Sequence, residues 1–170
     1  MKMISNTIFN TKNVVYYSNQ LVSKLKKIAD KSKRKRSRIC IHKSRKAKTH
    51  EMIIALKEGS YIQPHIHLNK KSESYHIIEG KMLVYIFSRK GKLINKIKMG
   101  NFNSKLNFYY RMNKSYFHMP IAISKYCIYH ETFSGPFNKK NDVMYAKFAP
   151  KEENKLLVIK FLKKIKFLKR

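Results

Sequence analysis

Apolar residues near the start of the chain fall at helical spacing. Val14, Leu21, Val22, Leu25, Ile28 and Ala29 share one side, with Lys24, Lys26 and Lys27 on the other, which predicts an amphipathic helix over about 14–29. From residue 38 the period shortens to two. Alternation predicts strands near 38–42, 50–56, 61–67, 73–79, 81–88, 93–99, 107–112, 116–118 and 126–131. Hairpins are expected at Glu79, Gly80 and Lys81 and across 89–92, and Gly135 with Pro136 breaks the pattern in SGPFN. After Pro150 the helical period returns, with Leu157, Phe161, Ile165 and Leu168 on one face. Glu152 and Glu153 suit its first turn and lysines its end.

Many short strands between two helices predict a mainly β fold, a single jelly-roll-like β-barrel. The organisation expected is an N-terminal helix and basic connector over 1–37, a barrel over 38–150 and a basic amphipathic C-terminal helix over 151–170. That last helix is expected to dock on the barrel or on a neighbouring subunit, so a homodimer is compatible with the sequence. KSKRKRSR, residues 31–38, is the densest basic run and is expected to be a solvated connector before the first strand.

Candidate chemistry concentrates in GSYIQPHIHLNKKSESYHIIEG, residues 59–80. In a strand, His65 and His67 project to one face and Ile66 to the other. Asn69, Lys70, Lys71 and Ser72 form a polar reversal, after which Glu73 can face the histidine pair. Imidazoles and a carboxylate are ligands for a divalent transition metal. Elsewhere His76 is expected on the opposite face from Glu73, and at most one of His130 and Glu131 can point inward. His42 and His50 read as structural histidines. Tyr110 or its neighbour Tyr109 is a candidate proton donor, and Tyr110 is carried forward as the candidate catalytic residue.

Gly59, His65, His67, Glu73 and Gly80 together resemble the first cupin motif, with one residue more between His67 and Glu73 than the motif has. A cupin takes its fourth ligand from a distant strand, and the resemblance assigns that place to His118 in SYFHMP. The second motif otherwise departs, with Asn113, Ser115 and Ala122 around that histidine. The strings RKRSRICIHKS, THEMIIALKEGSYIQPHIHLNKKSESYHIIEG, FYYRM, HET and SGPFN resemble more closely the WbuC family of cupin-fold metalloproteins, encoded among bacterial O-antigen, lipopolysaccharide and other surface-polysaccharide genes. The likeness runs from about Val14 to Glu153. It implies a metal-binding barrel with His65, His67, Glu73 and His118 as ligands, and it supplies no reaction. Fe, Mn, Ni and Zn all suit that donor set. A metal-dependent sugar-modifying enzyme, of isomerase, epimerase or oxygenase type, is one reading. A non-catalytic sensor or binding module is the other. The His and Asp dyad of metal-free cupin epimerases is disfavoured, since the chain has only Asp30 and Asp142, both outside the predicted strands.

Composition sharpens the picture in three places. The formal charge is +30, which would favour polyanions, but lysine outnumbers arginine by 32 to 7 and the lysines are scattered. Coding bias therefore explains the charge better than nucleic-acid binding, and the expected partner is a small molecule, a sugar or nucleotide sugar. Two cysteines, Cys40 and Cys127, argue against a disulfide scaffold. With no apolar run long enough for a signal peptide or a membrane span, a cytoplasmic protein is expected.

Overall fold

The computed structural model describes residues 2–4, 7–68, 72–113 and 116–166. Ten strands form one curled sheet: β1 (Lys2–Ile4), β2 (Thr7–Phe9), β3 (Arg36–Cys40), β4 (Thr49–Lys57), β5 (His65–His67), β6 (Glu73–Phe87), β7 (Leu93–Gly100), β8 (Tyr109–Met112), β9 (Phe117–Ser134) and β10 (Val143–Tyr145). Helix α1 spans Asn19–Lys31, the single turn α2 Lys139–Asp142, and α3 Lys155–Lys166.

Two long antiparallel strands organise the barrel. β6 and β9 pair from Glu73 opposite Phe133 to Phe87 opposite Phe117. The C-terminal half of β9 also pairs with β4, which continues through β3 and β2 to β1. Its N-terminal end pairs with β5, through His65 opposite His118, and β5 with β10. β9 thus belongs to both walls.

The hairpin expected at Gly80 does not form, because β6 runs straight through it as one strand of 15 residues. Inward positions are odd before the glycine, at Tyr75 and Ile77, and even after it, at Met82, Val84 and Ile86. A change of phase in the alternation looks like a strand end, but here it marks a bulge. Pairing with β9 shifts register between Ile77 and Glu79 and again between Gly80 and Met82, and Gly80 takes φ +79°. The same change of phase, from Ala122 to Cys127, hid the continuity of β9. β5 is shorter than expected, and β3 begins two residues earlier than expected.

Three apolar layers follow from the alternation. Met52, Ile54, Tyr75, Val84 and Tyr129 fill the barrel between its walls. Outside one wall, Leu21, Leu25 and Ala29 of α1 recur every four residues and cover Ile8, Ile39, Ala55 and Ile128. The helix starts at its cap, Ser18, whose Oγ accepts from the Gln20 N–H at 3.3 Å, so Val14 lies before it, 76% exposed. Outside the other wall, Val158 and Ile165 of α3, with Phe161 and Leu162, pack on Ile66, Tyr85 and Phe117. The docked face is turned from the one expected, leaving Leu157 half-exposed, and Leu168 lies outside the described residues. The short hairpin of β1 and β2, which has no sequence signature, extends the first wall by parallel pairing of β2 with β3. Cys40 and Cys127 are free and buried, and among the described residues no helix is long and apolar enough to cross a membrane.

Candidate metal centre

β5 is a three-residue strand held on both sides, and that is what aims its histidines. His65 pairs with His118 of β9 on one side and Tyr145 of β10 on the other, while His67 pairs with Val143. Alternation sends Ile66 into the outer core, fully buried, and turns both imidazoles into the barrel. The Asn69–Lys71 part of the expected reversal lies outside the described residues. Beyond it Glu73 opens β6, buried to 1% exposure, and its carboxylate reaches the same spot.

Nitrogen atoms of His65, His67 and His118 lie within 4.8 Å of one another. Metal–nitrogen bonds of about 2.1 Å set donors across one ion at most about 4.2 Å apart, so the cluster is close to the size of a metal cage. Nδ1 of His65 is 3.2 Å from the Gln63 carbonyl, and Nδ1 of His118 is 3.2 Å from the Tyr116 carbonyl. Each is placed to donate its Nδ1–H to a carbonyl two residues back, which leaves Nε2 with its lone pair turned inward. Burial, then the neighbouring His118 and His67, push His65 well below the usual imidazole range and keep it neutral, the form that binds a metal.

Glu73 closes the cluster. Its Oε1 lies 3.2 Å from Nε2 of His67 and its Oε2 3.0 Å from Nε2 of His118. The second contact is close but badly angled, so Glu73 Oε2 and His118 Nε2 are both buried without a hydrogen bond among the described residues. Buried orphaned acceptors are costly, and a cation between them would satisfy both. Burial pushes the Glu73 carboxyl up, but His118 and His67 outweigh it and hold it below the usual carboxylate range. Three imidazoles and a carboxylate fit a borderline divalent ion, and the four residues the sequence nominated are brought together. Phe133, which carried no sequence signal, stacks on His67 with ring centroids 5.5 Å apart.

His65 and His67 of the cluster line a cavity of about 320 Å³ inside the barrel. Glu131 faces into it, while His130 turns outward to Glu51 at 3.6 Å. Burial and the nearby Glu73 push Glu131 up, toward its neutral acid. His76 is exposed on the outer face. His42 and His50 also line the cavity, their rings 3.9 Å apart. Tyr110 packs beside Tyr75 with its hydroxyl buried and unpartnered among the described residues, and it is not part of the cavity wall. Tyr109 is half-exposed on the opposite side of its strand.

The basic run is not a solvated connector over its whole length. Arg36 and Arg38 lie in β3 and alternate with Ser37 and Ile39, so both guanidinium groups face the cavity. Arg34 and Arg36 both grip Glu152, at 2.9 and 2.8 Å, and Arg36 also donates to the Tyr61 carbonyl. Burial raises the Glu152 carboxyl, but Arg34 and Arg36 outweigh it and hold it low. A carboxyl depressed in the fold contributes stability above its unfolded value, near 4.5, and loses it as pH falls through the folded one. Glu152→Gln is therefore expected to lower the melting temperature at pH 7, and the gap from wild type should close as thermal scans move below pH 4.5. An equal gap at pH 3 and pH 7 would show that the ion pair is not its source.

Residues 17–99, just under half of the chain, match the family described as "Domain of unknown function (DUF6016)". That segment holds His65, His67 and Glu73 but stops short of His118. No curated protein matches the sequence. Among solved structures, a Shewanella oneidensis protein aligns with a TM-score of 0.54 and 13% identity over 78% of this chain and 85% of its own. CapF with the inhibitor 3-isopropenyl-tropolone aligns at 0.51 and 15% identity, over 64% of this chain and 31% of that one. The capsular polysaccharide assembling protein CapF from Staphylococcus aureus gives 0.47 and 15%, over 59% of this chain and 27% of that one. The chain thus spans about a third of the CapF chains or less. At such identities the likeness concerns the fold alone, and the fold is a β-barrel of the cupin type with a few helices.

Proposed function

We propose that this protein is a metal-binding cupin of the WbuC kind that acts on a small molecule in bacterial surface-polysaccharide synthesis. The observation that carries the reading is the clustering of three imidazoles, His65 half-buried and His67 and His118 buried, with the buried Glu73 carboxylate that contacts the last two, beside a cavity that His65 and His67 line. Resemblance over residues 14–153 supports the family and its setting, as does the fold shared with CapF, which is named for capsular polysaccharide assembly. His65, His67, Glu73 and His118 would hold Fe, Mn, Ni or Zn, and such an ion, when bound, polarises a carbonyl or acidifies a water. The chain's own residues do the rest: Phe133 fixes the His67 ring and the cavity orients the ligand. Glu131, on the cavity wall, is better placed than Tyr110 to exchange a proton with a ligand.

A binding module without turnover is the second reading, favoured by the absence of Tyr110 from the wall. Elemental analysis of the purified protein is expected to find about one transition-metal ion per chain, and a chelator should lower its melting temperature by several degrees. A chain that holds no divalent ion, as purified or after reconstitution, would overturn the proposal. A panel of nucleotide sugars then separates the two readings. An enzyme loses both metal and turnover in His65→Ala, whereas a binding module loses ligand affinity and turns over none of them.

A further inference from the structure

Coding bias explains a surplus of lysine but not where the arginines sit. Four of the seven arginines, Arg34, Arg36, Arg38 and Arg45, line the cavity that His65 and His67 also line, and among the described residues none of the far more numerous lysines does. Guanidinium is the side chain that grips a carboxylate or phosphate through two parallel hydrogen bonds, which an ammonium cannot do. The four are not equivalent. Arg34 and Arg36 are committed to Glu152. Among the described residues Arg38 makes one side-chain hydrogen bond, from Nε to Thr7 Oγ1 at 3.3 Å, and the Arg45 guanidinium has no side-chain partner. Glu131, the other acid of the wall, makes no ion pair with either one among the described residues.

We propose that the cavity binds a small metabolite carrying an oxyanion, with Arg38 and Arg45 taking its carboxylate or phosphate while the rest of the molecule extends toward His65 and His67. Arg34 and Arg36, locked on Glu152, shape that end of the cavity without consuming the charge of the other two. The volume, about 320 Å³, is at the small end for ligand sites and suits a single acidic sugar or hydroxy acid rather than a polymer. Met52, Ile54 and Phe137 give its carbon skeleton apolar cover. The ligand class rests on the metal-binding reading for its orientation, and on the arginines for its charge.

The experiment is calorimetric titration of the full chain in 150 mM salt with galacturonate, galactose 1-phosphate and neutral galactose, with metal content measured on the same samples. At least one acidic sugar is expected to bind at least tenfold more tightly than galactose. Whichever does so distinguishes carboxylate from phosphate. Arg38→Ala and Arg45→Ala should each weaken it about tenfold or more while leaving metal content unchanged, and Lys105→Ala on the surface should leave it alone. Both arginines line the cavity yet are exposed, so truncation leaves no hole in the core. The proposal is overturned if neither acid binds better than galactose. It is overturned equally if the arginine variants bind as wild type does, which would assign the affinity to the basic surface. A metal-free chain that still takes the acidic sugar through Arg38 supports this inference and sinks the metal reading alone.

Discussion

His118→Ala is expected to empty the metal site and soften the barrel together. His118 is fully buried, with Nδ1 anchored on a carbonyl and Nε2 facing Glu73. Changing even an outer partner of a ligand costs about 10- to 100-fold in metal affinity, so removing a ligand should cost more than about 100-fold. Elemental analysis after desalting should then fall from about one ion per chain to less than about a tenth. Without metal the variant is still penalised. Burial works against the Glu73 charge, and His118 is the largest influence opposing it. Truncation also strips the buried Glu73 carboxylate of a polar neighbour, and a buried polar group left without partners costs about 1–3 kcal/mol, or several degrees in melting temperature for a chain of this length. Full metal retention in the variant would mean that the four groups are not a ligand set.

Gly80→Ala should be the most damaging exchange of a single hydrogen for a methyl group in the sheet. A Cβ at this position would lie 2.1 Å from the Tyr126 carbonyl oxygen and 2.7 Å from Ser124 Oγ, with φ at +79°. The left-handed backbone costs a side chain about 1–2 kcal/mol, and overlap with backbone that cannot move adds to it. A loss of about 3 kcal/mol, near 10 °C in thermal scans, is expected. Gly59→Ala is the internal control. It has a similar φ of +76°, but its Cβ would meet only the flexible end of Lys35, so only the backbone cost of about 1 kcal/mol should appear. Equal losses in the two variants would remove close packing at the bulge as the cause.

Alternation was legible in the sequence wherever a strand kept its phase. Arg89–Lys92 turns as expected, and the His65, Ile66, His67 triplet splits between two faces because a short strand allows nothing else. The bulges of β6 and β9 were misread as strand ends, since a phase change and a turn look alike without the partner strand. The candidate ligands His65, His67 and Glu73 stand out because imidazoles and carboxylates are few in this chain and these are closely spaced. His118 was found only through the cupin resemblance, as its neighbours Phe117 and Met119 read like any other strand. The arginines of β3 were hidden for the opposite reason. In a chain with so many basic residues, Arg36 and Arg38 look like solvated surface, and only the register of β3 with β4 turns them inward. Phe133 stacks on His67 across a wide sequence gap that no local pattern encodes.

β9 carries His118 near one end and Glu131 toward the other, and it is hydrogen-bonded into both walls along the way. His118 and Glu73 ride on two strands paired along most of their length, whereas His65 is joined to β9 by a single bridging pair and can part from His118 without opening β6 and β9. An ion held by these four groups would thus exchange through local opening of β5, at a rate set by that motion rather than by the lifetime of the whole fold.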